Sequence, residues 1–320
     1  MRLGPPRRAV VGALALAGLA VWTACSGVDE GNAPATGLSE PAPVGRLGRI
    51  FIAVQAPSDG LSDVPALEIS ARFVQYRGLD EAAVRHRVDL PPLVVDRLRV
   101  GECTASDAVW ADEPPPTPRG AGPDSREIAL FDVGNIAVTI GEASVDVPLS
   151  LVPDILPYMS GVVYDHASEA LPTRAWPPGE PAPTALTITV EGAGDDELPG
   201  FAARVVLPEP VALQTTPTAD RGSLLLEWDP DGRGLPIALR LASYIGSESA
   251  DDEVTCLVSD AGSHRIDLDA LRAAGFGLTG DTLHVGASRF ARARLDPGEA
   301  AYGDAEAVVE VRSETLVTWP

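Results

Sequence analysis

The chain has 320 residues and an acidic balance, with 24 basic residues against 46 acidic ones and a formal net charge of −22. A field of that sign repels nucleic acid and anionic lipid headgroups, so neither is expected as a direct partner. The 45% hydrophobic content excludes a wholly disordered chain, and the 30 prolines and 31 glycines favour turns over long helices. The aromatic content of 5% is low for a carbohydrate-binding surface.

The first 24 residues have the pattern of an export signal. Arg2, Arg7 and Arg8 form a positive start, and residues 9–22 are an uninterrupted apolar stretch of small and aliphatic side chains with one tryptophan. That stretch is short for a bilayer span, which takes about 20 residues, but it suits the apolar core of a signal peptide. We therefore predict a signal helix over residues 1–24 that is removed from the mature protein. Because it contains three arginines and no acid, its removal makes the chain more acidic still.

The end of this segment resembles the lipobox of bacterial lipoproteins. Small residues, Thr23 and Ala24, precede Cys25, although Trp22 replaces the usual aliphatic residue. The resemblance implies that the Cys25 thiol carries a diacylglyceryl group and that the chain is cut just before it. Each buried CH₂ contributes about 0.8 kcal/mol, so two or three acyl chains would anchor the protein stably in a membrane.

Two alternatives for this segment stay open. The leader can be an ordinary cleaved signal with an incidental cysteine, and Arg7-Arg8 loosely resembles a twin-arginine export signal. Residues 25–45 are small and polar with proline and glycine, which predicts a flexible tether. Under the enterobacterial sorting rule, Ser26 after the lipidated position implies the outer membrane.

Residues 46–210 are predicted to form an N-terminal β-rich domain. Their apolar residues alternate with polar or small ones, the period of half-buried strands, at 50–54, 67–73, 136–140 and 186–190. Less regular strand candidates lie at 93–100 and 201–207, and two proline-rich interruptions, 113–123 and 171–183, predict long surface loops.

Residues 211–320 are predicted to form a second β-rich domain after a boundary at 208–220. Strands are predicted at 224–228, 237–241, 254–258, 282–287 and 307–319. One short helix is predicted between a cap at Asp267 and a stop at Gly275, with Leu268 and Leu271 facing inward. The fold class predicted for the whole is all-β, with two tandem β-sandwich-like domains.

The second domain begins with the segment 208–212, the alternating Leu224, Leu226 and Trp228, and the strand at 237–241. This pattern resembles the first three strands of a fibronectin type III or related immunoglobulin-like sandwich. In that family the tryptophan fills the core between the sheets, which is what the resemblance implies for Trp228.

Four further features of the chain form a recognisable layout: the lipobox-like segment, the Val-Gly-Glu-Cys segment that ends at Cys103, the segment 131–134 before a strand, and the pair of segments 255–256 and 259–262. This layout resembles that of uncharacterised secreted lipoproteins of myxobacteria. This likeness implies an exported, lipid-anchored setting and no particular activity.

Cys103 and Cys256 are the cysteines outside the lipobox, and in an oxidising compartment they favour a disulfide. Such a bond would tie the two predicted domains together and, in the chain-entropy model, contribute up to about 5 kcal/mol. The alternative is two separately buried thiols.

The segment 229–234 resembles the opening of a calcium loop, because Asp229 and Asp231 place oxygen ligands two residues apart before a glycine. It lacks the third acidic position and the distant glutamate. The competing interpretation is a hairpin turn between the strands on either side.

No catalytic residue is singled out by the sequence. The four histidines, at 86, 166, 264 and 284, are scattered, and the pair His166 and Glu169 has no long helix to present it to a metal. Ser288 lies in a strand pattern without the glycines of a nucleophile elbow, which predicts a structural serine. No phosphate-binding loop, dinucleotide fingerprint or cofactor motif is present.

We therefore expect an envelope lipoprotein that is not an enzyme, a structural, adhesive or binding module tethered through Cys25. Its expected partners are the membrane, through the lipid, and an envelope protein or extracellular polymer. The alternatives are a hydrolase with an unidentified carboxylate site and a calcium-dependent binding module.

Overall fold

The structure is a computed structural model that describes residues 44–56, 67–90, 92–105, 127–152, 159–168, 183–193, 198–217, 222–245, 248–277, 282–295 and 302–318. All of these belong to the unit Ala42–Pro320. Cys25, the predicted signal 1–24 and the predicted tether as far as residue 43 lie outside the described residues. Among the described residues, no helix is long and apolar enough to cross a membrane.

Strands dominate the described residues, which confirms the predicted all-β class. Up to residue 206 they are β1 (Val44–Gln55), β2 (Leu67–Arg77), β3 (Cys103–Ala105), β4 (Glu127–Leu130), β5 (Ile136–Ile140), β6 (Ala143–Val147), β7 (Leu149–Leu151), β8 (Met159–Ser168), β9 (Ala185–Ala193) and β10 (Leu198–Val206). After it follow β11 (Gln214–Pro217), β12 (Ser223–Glu227), β13 (Ile237–Ile245), β14 (Glu248–Val258), β15 (Ser263–Asp267), β16 (Thr282–Arg294) and β17 (Asp304–Thr318). The helices are α1 (Glu81–Arg87), α2 (Val94–Arg97) and α3 (Leu268–Ala273).

A ten-stranded sheet forms the frame, in the order β3-β14-β13-β16-β17-β1-β2-β4-β8-β7, and β8 also pairs directly with β2. At its centre β1 pairs with β17 in parallel, so that Ile50 lies opposite Ala307. The first and last described strands are therefore neighbours, and the sheet continues from the N-terminal part of the chain into the C-terminal part.

One face of this sheet, here called the inner face, carries two apolar cores. The first core lies against the four-stranded sheet β10-β9-β5-β6 and includes Ile50 and Ile52 of β1 with Val138 and Ile188 of the smaller sheet. At its edge, Gly134 has a φ of +78°, and a Cβ there would overlap the carbonyl oxygen of Gly192. This tight approach of backbone to backbone requires glycine.

The second core lies against the three-stranded sheet β11-β12-β15. Leu224, Leu226 and Trp228 pack there against Leu239 and Val285 of the ten-stranded sheet, and Trp228 is buried. Every buried member of this core lies within the predicted second domain, 211–320, whereas β16 and β17 also contribute to the first core.

The structure confirms one prediction about a single element and contradicts another. The helix α3 is confirmed, since the Asp267 carboxylate caps it by accepting a hydrogen bond from the Ala270 amide at 2.8 Å, and Leu268 and Leu271 are buried. The strand predicted at 93–100 is wrong: residues 94–97 form the short helix α2, because a brief apolar run does not distinguish a strand from a helix.

Two further details differ near the boundary of the predicted domains. The segment 208–212 forms no strand, and the first strand there is β11. The hairpin interpretation of residues 229–234 is also wrong, because β12 pairs with β11 and β15 while β13 pairs with β14 and β16. The connection therefore crosses from one sheet to the other.

Candidate functional site

The opposite, outer face of the ten-stranded sheet carries a groove of about 390 Å³. That volume falls within the range of pockets that hold ligands, about 300–1,000 Å³. The groove floor is made by side chains of seven neighbouring strands, namely β14, β13, β16, β17, β1, β2 and β8. With strands ~4.8 Å apart, the lining strands span ~29 Å, so the groove is long and shallow.

The groove is lined by two aromatic rings and a larger number of charged side chains. Phe51 on β1 and Phe290 on β16 are half-buried, and the charged residues around them are the arginines 49, 72, 240 and 312 and the acids 68, 89, 165, 253 and 310. Because side chains along a strand alternate between faces, the residues of β1 and β17 that flank the apolar core residues are the ones that line the groove.

Arg–carboxylate pairs organise these charges. The Arg72 guanidinium lies 2.9 Å from the Asp165 carboxylate, and Arg49 Nη2 lies 2.6 Å from Glu306 Oε1. Each of the four groove arginines has a carboxylate partner, so the arginines are held in fixed positions.

Glu310 is the most enclosed of the groove carboxylates, with its side chain 2% exposed. Arg240 Nη2 donates to its Oε1 at 3.0 Å, Arg312 Nη2 donates to its Oε2 at 2.9 Å, and Ser288 adds a hydrogen bond. Burial opposes ionisation of Glu310, but the charges of Arg312 and Arg240 outweigh it and hold its pKa below the usual range. Ser288 is buried and hydrogen-bonds to Glu310, and Glu310 remains an anion.

A neighbouring pair extends this charged row along β16 and β17. His284 Nε2 lies 3.3 Å from Glu314 Oε2, and the interaction with His284 is the largest cause of the lowered pKa of Glu314. The shifts in this row favour the charged forms of the carboxyl groups, which is the behaviour of ion pairs rather than of a general acid.

One wall of the groove is a segment that we call the strap, the described residues 88–90 and 92–102 between α1 and β3. Asp89, Leu90, Leu93 and Val94 face the groove from it. At its start, Leu90 belongs to a third apolar cluster that fixes α1 on the outer face. In its middle, Asp96 pairs with Arg292 of β16 at 2.7 Å.

The far end of the strap is held by the predicted disulfide, which is present between Cys103 and Cys256. The two cysteines lie opposite each other on the antiparallel strands β3 and β14. Just before it, the Gly101 amide donates to the Leu257 carbonyl at 2.7 Å, and the Leu257 amide donates to the Glu102 carbonyl at 2.9 Å. The bond therefore joins the strap to the groove's edge, with Thr255 and Glu253 of β14 in the groove floor.

The two calcium candidates lie away from this groove. Asp229 is exposed, and its backbone carbonyl accepts a hydrogen bond from Arg289 Nη2 at 2.7 Å. The Asp231 carboxylate accepts one from the Arg233 amide at 2.8 Å. Over the described part of the chain, no group of three or more His, Cys, Asp or Glu side chains is placed to hold a metal ion.

Beneath these residues lies a buried charge cluster that sequence inspection missed. The Asp260 carboxylate accepts from Trp228 Nε1 at 2.7 Å, from the Asp231 amide at 3.1 Å and from Arg289 Nη2 at 3.1 Å. The side chains of Asp260 and Arg289 are 1% and 4% exposed. Burial alone would raise the pKa of Asp260, but these hydrogen bonds and the Arg289 charge lower it by more. The net pKa is therefore below the usual value, and the carboxylate stays ionised. Asp260 thus orients the core tryptophan.

The histidines do not converge. His86 lies on α1, His166 on β8, His264 on β15 and His284 on β16. Burial lowers the pKa of His264, which favours its neutral form. Glu169, the proposed companion of His166, lies outside the described residues.

Comparisons with known proteins give no family for the chain. No family model matches it, and no curated protein sequence matches it. Among solved structures, the Fcho1 Mu homology domain of Danio rerio with bound Eps15 peptide has 11% identity and a TM-score of 0.24, covering 86% of this chain and 98% of that one. The yeast delta-COP-I mu-homology domain has 8% identity and a TM-score of 0.23, and the match covers 84% of this chain and 95% of that one. The same yeast domain in complex with a Dsl1 WxWxV peptide has 10% identity and a TM-score of 0.21, again covering 84% of this chain and 95% of that one. TM-scores this low establish no common fold.

Proposed function

We propose that this chain is a non-enzymatic binding module of the bacterial envelope, anchored by lipid on Cys25, and that the outer-face groove is its binding surface. The groove is the observation that carries the proposal. It combines a ligand-sized volume, two half-buried aromatic rings and arginines whose positions are fixed by ion pairs.

The proposed export and lipid attachment rest on the N-terminal segment of the chain. The positive start, the apolar stretch and the small residues before Cys25 support export and lipid attachment, and Ser26 supports the outer membrane. The acidic tether and body would keep the folded part clear of anionic headgroups.

Three carboxyl groups of the described residues behave as members of ion pairs and not as the proton donor of a hydrolase. A glycosidase or related hydrolase needs one carboxyl group whose pKa is raised toward neutrality so that it can donate a proton. Among the described residues, the carboxyl groups with a resolved shift are Asp260, Glu310 and Glu314, and all three pKa values are lowered.

The anchor is tested by intact mass and membrane fractionation of the native protein beside a Cys25→Ala variant. We expect loss of residues 1–24, added acyl mass and release of the variant from the membrane. A soluble, unlipidated native protein would contradict this part of the proposal.

The groove is tested by native mass spectrometry of the protein extracted gently from its own envelope. Wild type should carry additional bound mass, and Phe51→Glu should lose it, because a carboxylate replaces an apolar contact in the floor. The matched control is Asp146→Asn, which changes an exposed charge on β6 of the four-stranded sheet. Equal bound mass in wild type and Phe51→Glu would show that the ligand sits elsewhere.

A further inference from the structure

We infer that the occupant of the groove is an extended, basic polypeptide segment, up to about nine residues long. This inference rests on the proposed function, because it names the class of ligand for the same groove.

The shape of the groove selects an extended chain. Its lining strands span ~29 Å, and an extended polypeptide rises ~3.3 Å per residue, which gives about nine residues. A ligand that contacts all seven lining strands must therefore be extended along the groove.

The charge balance selects a basic segment. The groove is lined by four arginines and five carboxylates, and the arginines are all paired with carboxylates. Asp89, exposed on the strap, has no ion pair among the described residues. A cation on the ligand meets this carboxylate without breaking an existing pair, whereas an anion meets arginines whose charge a carboxylate already balances. The net charge of −22 on the whole chain steers cations toward the surface as well.

The position of Asp89 strengthens this point. It has a φ of +55°, the one positive φ of a non-glycine residue in the described part of the chain. The site follows the end of α1, where the Leu90 amide donates to the Arg85 carbonyl at 2.8 Å, and glycine is the residue that such helix ends favour. A carboxylate thus stands at a position where glycine would be less strained, and it faces the groove.

Peptide is favoured over glycan by the same side chains. Lysine and arginine supply cations in polypeptides, whereas glycans are mostly neutral or acidic, and an acidic glycan would be repelled by the chain's net charge. The aromatic platforms are phenylalanines, Phe51 and Phe290, which suit apolar side chains that alternate with the basic ones.

The test measures binding of fluorescent nonapeptides to the full mature protein by anisotropy. The probes are a basic peptide of alternating Lys and Leu, its acidic counterpart with Glu and its neutral counterpart with Ser, together with cellohexaose as a competitor. We expect the basic peptide to bind at least about tenfold more tightly than the other two, with affinity that falls as salt rises.

Two groove variants and one control locate the site. Asp89→Asn keeps a residue that tolerates positive φ and should weaken binding of the basic peptide about three- to tenfold. Phe290→Ala should weaken it about tenfold or more. Asp146→Asn removes the same charge from the opposite side of the sandwich and should leave the affinity within about twofold.

The outcomes separate this inference from the proposed function. If the acidic or neutral peptide or cellohexaose binds and Phe290→Ala abolishes that binding, the groove is a binding surface and the basic-peptide inference is wrong. If Asp89→Asn and Asp146→Asn weaken the basic peptide equally, the binding is non-specific attraction to an acidic protein, and the inference fails. If no probe binds while the extracted protein still carries groove-dependent mass, the occupant belongs to another class.

Discussion

In the described part of the chain, two buried carboxylates pair with arginines in different surroundings. Asp260 and Arg289 lie between β16 and the loops that join the two sheets, with side chains 1% and 4% exposed, and their partners include backbone groups and Trp228. Glu310 is equally enclosed, but its partners Arg240 and Arg312 are 36% and 25% exposed and reach into the groove. A cluster enclosed by backbone groups fixes the fold, whereas one that opens on a groove can also meet a ligand.

The largest expected effect is at the enclosed cluster. Asp260→Ala should destabilise the protein by about 3–5 kcal/mol, because it leaves the buried Arg289 guanidinium without its counter-charge and the Trp228 N–H without its acceptor. Urea denaturation measures this loss. Asp269→Ala removes an exposed partner of Arg272 and serves as the control, with an expected change below about 1 kcal/mol. Equal losses in both variants would contradict the contrast between enclosed and exposed pairs.

Removal of the disulfide should lower the free energy of unfolding by somewhat less than Asp260→Ala does, and its structural effect should be local. The Cys103→Ser, Cys256→Ser double variant should lose about 2–4 kcal/mol. Hydrogen exchange should rise chiefly at residues 92–102 of the strap, because Gly101 and Glu102 depend on the same edge of β14. Unchanged exchange in the strap would show that its other contacts suffice to hold it.

Glu310→Gln should cost about 2 kcal/mol, less than the change at Asp260, because water screens the two arginines that lose their counter-charge. Thermal and urea unfolding compare the two variants directly. A loss at Glu310 greater than that at Asp260 would reverse the proposed order of the clusters.

The pH dependence of stability follows from the same cluster. Since the folded-state pKa of Glu310 is lowered, its contribution is complete above the ordinary value of 4.5 and is lost as the pH falls through the lowered value. Urea unfolding between pH 7 and pH 3 should therefore show a smaller decline for Glu310→Gln than for wild type. Parallel declines would mean that Glu310 does not contribute in this range.

The smallest expected effect on stability is a gain and not a loss. Asp89→Gly should stabilise the protein by about 0.5 kcal/mol, because glycine relieves the positive φ at the end of α1. The same variant should weaken the basic peptide, so thermal unfolding and binding should move in opposite directions. A destabilised variant would show that the Asp89 side chain supports the strap.

Much of the fold could be predicted from the sequence, because period-2 alternation marks strands with one buried face. The cap at Asp267 located α3, and the two cysteines that follow Cys25 in the chain were enough to suggest the disulfide. The short helix α1 was missed, although Asp80 and Glu81 carry the signal of a helix start.

The groove could not be predicted, because it joins residues that are distant along the chain. Arg49 meets Glu306 over a separation of 257 residues, and Arg312 meets Glu68 over 244. Local patterns give no partner for such charges, so they are indistinguishable from a solvated surface until the parallel pairing of β1 with β17 brings them together.

The most direct test of the groove as the binding surface is site-resolved photo-crosslinking in intact cells. A photoreactive residue would replace Phe290 in the groove floor or, as a control, Asp146 on the opposite side of the sandwich. The account predicts a discrete crosslinked adduct from position 290, suppressed by added basic nonapeptide, and none from position 146. Adducts from position 146 alone, or identical adducts from both positions, would contradict it.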